Sequence, residues 1–475
     1  MARASRVSRR RILKTAGAAA VGGGAAMLGA GTLAAHPSTD ARGALSNVEG
    51  QQGAPAIATN AQGGRRYRAF VKWGPARPEV VEIVARPLTG NMVLMRVEAA
   101  QTCYTSVDQV LIEGTPANNA TVVGHGGVGI IEAVGPQCMS VRVGDRVILN
   151  LHDACGRCYN CLRGRSDKCA AQQGQQQQPI ADFQGRPVVG RTGAMAELAI
   201  TTEEYVTPIF ATVSSAEISM LTCVAGCGLG MTMTNVPVEV ASDVVIFGAG
   251  PVGLSAVMGA KVKGASRIIV VEPIPYRREL ALKLGATDVV DPNQYRERKP
   301  VKPTANFGGP GTTLFEDALV THLRDMTRMS FSRPWAGSGR VGPDHILEAV
   351  GGDRIRPRVH PQGPDPTGVT VLHQCWELCS EIGSIVTSSV GHPSNAVVQL
   401  PAAQWADGSK HHWPGTGGGT NDRRDSPRHV RLMETGQINM KALVGRTYPL
   451  AQAREAYQVA ADRDVPATVV VPNLT

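Results

Sequence analysis

Aromatic side chains are scarce in this chain: 7 Phe, 5 Trp and 8 Tyr make up 4% of its 475 residues. That argues against the stacking platforms that hold single-stranded nucleic acid. Charged residues are also modest in number, at 18%. With hydrophobic residues at 43%, the composition is nonetheless that of a soluble globular protein rather than a disordered or membrane one. After residue 35 no apolar run reaches bilayer-spanning length. Glycine, by contrast, is abundant at 54 residues, which suits a loop-rich α/β protein. A length of 475 residues is more than one hydrophobic core usually serves and fits two ordinary domains.

Acid is missing from residues 1–35, which carry Arg3, Arg6, Arg9, Arg10, Arg11 and Lys14. The net charge is +9, so these six cations leave only +3 for the rest of the chain. The folded body therefore offers little charge argument for a polyanionic partner, and nucleic acid is not expected. Ser8-Arg9-Arg10-Arg11-Ile12-Leu13-Lys14 leads into an uncharged run of small and apolar residues from Thr15 to Ala35. A basic start, a weakly apolar middle and small residues at Thr32-Leu33-Ala34 make the layout of a secretory signal peptide. The paired arginines resemble the twin-arginine subtype. Residues 1–35 are thus read as a signal for the twin-arginine export machinery, cleaved near Ala34, with the mature protein periplasmic or extracellular. The run is long enough for a membrane span, but Ala and Gly add little transfer energy beside Leu or Ile, which favours a signal over an anchor. Residues 36–65, rich in Ala, Gly, Ser, Pro and Gln, read as a flexible linker.

Of ten cysteines, four fall within fifteen residues: Cys155, Cys158, Cys161 and Cys169. Two intervening residues let neighbouring sulfurs turn back onto one ion, and four thiolates complete a closed tetrahedron around structural zinc. Disulfides in so short a knot would be strained. An iron–sulfur cluster uses similar ligands, and spacing alone leaves it open.

This segment, with Val143-Gly144-Asp145-Arg146-Val147 just before it, resembles the structural-zinc lobe of zinc-dependent medium-chain alcohol dehydrogenases. The resemblance continues in order from about Arg66 to the C-terminus. It implies an α/β fold in which a GroES-like, β-rich catalytic domain is joined to a Rossmann domain with a doubly wound parallel sheet. On this chain the catalytic domain would run over 66–226, with the zinc lobe at 150–170. The Rossmann domain would cover 227–420 with an insertion at about 293–343, and 421–475 would return to the catalytic domain. The family further implies two Zn2+ ions per chain, NAD, a small alcohol or aldehyde as substrate, and a homodimer or homotetramer.

A catalytic zinc in this family takes an early Cys, a His in a Gly-His motif and a Cys in a Gly-Cys-Gly motif. The matching residues are Cys103, His125 and Cys227, and a zinc there would act as Lewis acid on the alcohol oxygen. Each alone is weak, since a lone Cys is more often a small buried hydrophobe. Thr105 matches the hydroxyl that accepts the alcohol proton. Asp108 stands where many relatives carry the His that receives it next. Two departures concern the surroundings of the metal: Gly126 replaces a Glu after the ligand His, and Ser106 replaces an Asp. Such groups orient ligands and tune the metal.

Asp243 to Phe247 reads as a buried strand and runs into Gly248-Ala249-Gly250-Pro251-Val252-Gly253, with a helical pattern beyond. Glycines in that context permit a tight turn and close approach to a pyrophosphate at a helix N-terminus. Gly248, Gly250, Val252 and Gly253 are the expected cofactor contacts. A second strand, Arg267 to Val271, ends in Glu272, placed to bond ribose hydroxyls and to repel the extra phosphate of NADP. NAD is therefore the expected cofactor, although Arg277 matches a basic residue near the same ribose. Further strands are read at His345–Gly351, Gly383–Ser388 and Ala467–Val471, and a helix at Phe315–Met329. Arg354–Pro366, with four prolines, reads as a loop, and Gln173–Gln178 as a solvated one. Cys375 and Cys379 read as buried thiols.

The leading function is hydride exchange between an alcohol carbon and NAD. Export argues for a tightly held NAD recycled within the site, because free NAD is scarce outside the cytoplasm. The alternatives are a non-catalytic or redox-sensing zinc protein on the same fold, and a zinc-free alkene reductase, which the metal ligands count against.

Overall fold

In the computed structural model the described residues are 64–474, apart from 116, 118, 153, 172–177, 237, 302–312, 329–340, 362–364, 389–390 and 408. They fall in one compact unit, Ile57–Thr475. The export signal with its cleavage point near Ala34, all but the last residues of the linker, and most of the Gln-rich stretch lie outside the described residues.

The N-terminal half is β-rich, as its β-branched, period-two segments require. Strands Arg66–Lys72, Glu79–Ala85, Ala181–Phe183, Arg186–Val189 and Ala120–Val122 close into a small barrel. A second, seven-stranded sheet is centred on the long strand Met92–Gln101, which pairs antiparallel with Gly127–Val134 on one side and Leu198–Thr202 on the other. The last strand of the chain, Ala467–Val470, lies in this sheet between Met92–Gln101 and the edge strand Val444–Tyr448, pairing Val469 with Gln101. That pairing brings the C-terminus back to the β-rich half.

Between them lies a six-stranded parallel sheet. Its order is Asp288–Val290, Arg267–Val271, Asp243–Phe247, His345–Glu348, Ser384–Thr387, His411–Pro414. In chain order this is 3-2-1-4-5-6, the doubly wound arrangement whose switch point lies between the first and fourth strands. The first strand is buried from Val244 to Phe247, as parallel strands covered on both faces must be. The fold is thus the GroES-like plus Rossmann architecture.

Three elements differ from the sequence reading. The expected helix at Phe315–Met329 begins instead as a strand, Phe315–Asp317, paired antiparallel with Arg298–Pro300, and only then becomes the helix Ala318–Met326. Asp317 sets that start, its carboxylate accepting from the amides of Leu319 and Val320. The strand ending at Glu348 is shorter than read, because its carboxylate turns the chain by accepting from Val350 and Gly351 amides. The boundary read at 226/227 falls inside the helix Val224–Gly230, which serves both halves. Among the described residues no single helix is long and apolar enough to cross a membrane.

Candidate metal and nucleotide site

Cys103, His125 and Cys223 each bring a donor atom to within 4.8 Å of the others. Cys103 follows the strand Met92–Gln101, whose exit is pinned by a 3.0 Å bond from Thr102 N to the Thr468 carbonyl. His125 sits between Gly124 and Gly126, at φ +90 and +88. Cys223 occupies the break between the turn Met220–Thr222 and the helix Val224–Gly230, at φ −148, ψ −77. A Cβ at position 126 would stand 2.6 Å from both Cβ and Oγ1 of Thr222. Glycine is therefore required here, and a Glu after the ligand His has no room.

The sulfurs of Cys103 and Cys223 are 3.8 Å apart. Two thiolates on one tetrahedral zinc, each at about 2.3 Å, are separated by about 3.8 Å. A disulfide would need about 2.05 Å. The hydrogen bond from Cys223 holds the Cys103 thiol well below its usual range; burial opposes this, and His125 and Thr105 reinforce it. The same shared proton, with burial, pushes Cys223 far up. Burial disfavours charge on His125, yet the adjacent Cys103 raises its pKa overall. The surroundings thus favour negative charge on Cys103 over Cys223, and ligation of a metal calls for thiolate sulfur at both. Thr105 Oγ1 donates to its sulfur at 3.1 Å.

The sulfur read from Gly226-Cys227-Gly228 is not in this cluster. Cys227 lies one helical turn beyond Cys223, its amide bonded to the Cys223 carbonyl at 2.7 Å. Its Sγ faces the Gly415 carbonyl at 4.0 Å, and burial pushes the thiol up to about 12. The flanking glycines serve packing instead. A Cβ at Gly226 would collide with the Leu221 carbonyl, and one at Gly228 with the Val252 carbonyl on the helix Pro251–Val262. Cys223 has no glycine beside it to mark it, and only the rotational setting of the helix separates the two sulfurs.

Asp108, read as the end of a proton path, is engaged elsewhere. Arg354 Nη1 donates at 3.0 Å both to Asp108 Oδ2 and to the Thr105 carbonyl. The carboxylate therefore anchors the loop that follows the fourth parallel strand. Ser106 is buried, its amide closing a turn on the Cys103 carbonyl at 3.1 Å.

Cys155, Cys158, Cys161 and Cys169 form a second group within 4.8 Å. Cys158 and Cys169 sulfurs are 4.0 Å apart. The amides of Ala170 and Cys161 both point at Cys158 Sγ from 3.5 Å and bring its pKa down to about 6. Four sulfurs with amide support fit a closed structural zinc site. Cys375 and Cys379 are buried in the core beneath the parallel sheet.

The glycine-rich turn divides its labour. Gly248 has φ +90, a conformation that favours glycine. A Cβ at Gly253 would collide with the Gly248 carbonyl, so this glycine lets helix and strand pack closely. A Cβ at Gly250 would meet nothing within 4 Å. That opening, at the N-terminus of Pro251–Val262, fits a dinucleotide's pyrophosphate. Glu272 is buried beside the turn, accepting from Ala249 N at 2.7 Å and Ile274 N at 2.9 Å. Arg277 donates to the Tyr276 hydroxyl at 3.0 Å, whereas Arg278 reaches the Glu272 carbonyl at 2.7 Å. The contact of Gly228 with Val252 seats the helix Val224–Gly230, which Cys223 precedes, directly on the helix Pro251–Val262.

Residues 89–211 match the alcohol dehydrogenase GroES-like domain, and residues 251–358 match the zinc-binding dehydrogenase domain. Similar curated proteins include the S-(hydroxymethyl)glutathione dehydrogenase of Haemophilus influenzae, 28% identical over 407 residues, covering 83% of this chain and 94% of the relative. That of Photobacterium damsela subsp. piscicida is 27% identical over 416 residues, covering 85% and 99%. Among solved structures, benzyl alcohol dehydrogenase from Acinetobacter calcoaceticus is similar at a TM-score of 0.68 and 25% identity, covering 86% of this chain and 99% of that one.

Proposed function

Taking as premise that the chain has the architecture of the zinc-dependent medium-chain alcohol dehydrogenase family, we propose that it passes hydride between an alcohol, or the corresponding aldehyde or ketone, and NAD. The observation that carries this reading is the cluster of Cys103, His125 and Cys223, whose third member immediately precedes the helix Val224–Gly230 that packs on Pro251–Val262, the helix opened by the glycine-rich turn. A zinc ion held by these three residues would supply Lewis acidity toward the substrate oxygen, with a fourth position left open.

The chain's own groups do the rest. Gly250 and the N-terminus of Pro251–Val262 would hold the pyrophosphate of the cofactor. Glu272, buried beside the same turn, disfavours the additional phosphate of NADP and so selects NAD. Thr105, whose hydroxyl donates to Cys103 Sγ, is placed to accept a hydrogen bond from the substrate hydroxyl and so orient it. The four-cysteine lobe holds a second, structural zinc. A hydroxymethyl compound, as in the names of the curated relatives, lies within this substrate class.

The N-terminal signal adds a further part to the reading. An exported dehydrogenase works where free NAD is scarce, so the cofactor travels bound and is recycled in place. Metal and nicotinamide content of the mature protein tests the whole. Two zincs and one NAD(H) per chain, with bound NAD exchanging slowly against added NAD, support it. One zinc and no nucleotide removes the self-contained enzyme, and rapid exchange removes the tightly held cofactor.

A further inference from the structure

We infer that His152 and Asp422 form a buried acid–base pair that handles the substrate proton, an inference that rests on the hydride-transfer reading above. His152 follows the strand Arg146–Leu149, and Asp422 opens the helix Asp422–Glu434. His152 Nδ1 and Asp422 Oδ2 are 3.9 Å apart, with side chains only 12% and 11% exposed. That is ion-pair range and longer than a hydrogen bond; such catalytic contacts are often long before substrate binds. Asp422 Oδ2 has no hydrogen-bond partner.

The pair adjoins the metal cluster through one short segment. A Cβ at Gly417 would collide with the His152 ring, and one at Gly418 with the Cys227 carbonyl. Thr420 Oγ1 donates to the Gly226 carbonyl at 3.0 Å. Residues 417–422 therefore run from the helix that begins after Cys223 to the imidazole. His125 lies close enough for its charge to disfavour protonation of His152, and Asp422's charge reaches Cys223.

The charged groups around the pair are few. Asp167 and Lys168 face His152, and Asp425 and Asp167 face Asp422. Arg424 is committed to Asp425 at 2.6 Å, and Arg423 to the Glu203 carbonyl at 2.7 Å. Among the described residues no Arg or Lys pairs with Asp422. Burial pushes its carboxyl up to about 8 and the His152 imidazole down to about 4. Near neutral pH the pair is a carboxylic acid beside a neutral imidazole, two titratable groups whose environments drive their pKa values apart.

The chemistry balances. In alcohol oxidation the C–H bond gives its electron pair as hydride to NAD, which becomes NADH. The O–H bond gives its proton to the pair, with Asp422 ionised, and the carbonyl forms. In the reverse direction the pair returns the proton to the carbonyl oxygen. Asp108, tied to Arg354, is spared this task.

The test uses cobalt-substituted mature protein with NAD, titrated with trifluoroethanol, an unreactive alcohol, while the cobalt absorption is followed across pH 6–10. In the wild-type protein the affinity should rise by about tenfold per pH unit below an inflection near 8, as one linked proton requires. Asp422→Asn should remove the inflection near 8 while cobalt content and the alcohol-free spectrum stay as in wild type. His152→Gln, tested in parallel so that one failed fold is not decisive, should do the same. A wild-type inflection retained in both variants overturns the pair and leaves the hydride-transfer reading standing. A wild-type cobalt spectrum unmoved by trifluoroethanol at every pH overturns both.

Discussion

Cys103 Sγ and Cys223 Sγ stand 3.8 Å apart, the separation that a shared tetrahedral zinc imposes on two thiolates. Cys227, one turn along the same helix, points away toward the Gly415 carbonyl. Cys223→Ser is therefore expected to lose one of two zinc equivalents and Cys227→Ser to keep both. Elemental analysis of the two purified variants decides this, and zinc loss in Cys227→Ser alone would reverse the assignment.

The glycine-rich turn separates stability from binding. Gly253→Ala forces a methyl into the Gly248 carbonyl and should destabilise the fold by about 1–3 kcal/mol, as overpacking does. Gly250, at φ −70 with open space around it, tolerates a methyl structurally. Gly250→Ala should melt like wild type while NAD binding weakens by on the order of tenfold or more. Chemical denaturation and NAD titration together check both; a normal NAD affinity in Gly250→Ala would place the pyrophosphate elsewhere.

The Asp108–Arg354 pair, with side chains 31% and 28% exposed, is an anchor of modest strength. Asp108→Asn and Arg354→Ala should each cost no more than about 1 kcal/mol. The pH profile of alcohol oxidation should keep its inflection in Asp108→Asn. A displaced inflection would return Asp108 to the proton path.

Asp422 also makes a prediction for stability. Burial raises its folded pKa to about 8 from the ordinary 3.8, so the fold holds this proton more tightly than the unfolded chain does. The contribution is full below pH 4 and is lost progressively as pH rises toward 8. Asp422→Asn lacks that loss. Melting temperatures at pH 5 and pH 8.5 should fall further in the wild type than in Asp422→Asn, and parallel falls would contradict the buried acid.

Much of this was legible in the chain itself. The four-cysteine lobe was legible from its spacing and the turn Gly248–Gly253 from its place between strand and helix, because each is a local arrangement, whereas Cys103 and His125 were reached only through the family resemblance. The strands Asp243–Phe247 and Arg267–Val271 carry unbroken β-branched runs that only a buried parallel sheet accommodates. The strand at Phe315–Asp317 was not legible, since three residues show no periodicity and form a strand only by pairing with Arg298–Pro300.

What the amino-acid order determined, then, is the inventory: two sets of metal donors, one phosphate-binding turn, and the elements that carry them. What tertiary structure decided is which donors meet. Cys223 and Cys227 are only one helical turn apart in sequence, and packing of Gly226 and Gly228 against Leu221 and Val252 brings one sulfur into the cluster and leaves the other out. Asp108 meets Arg354, and His152 meets Asp422, across separations no local pattern encodes. Spacing along a chain limits which residues can reach a site, but the rotation of a helix and the closing of a loop are set by steric contacts with residues far away in sequence.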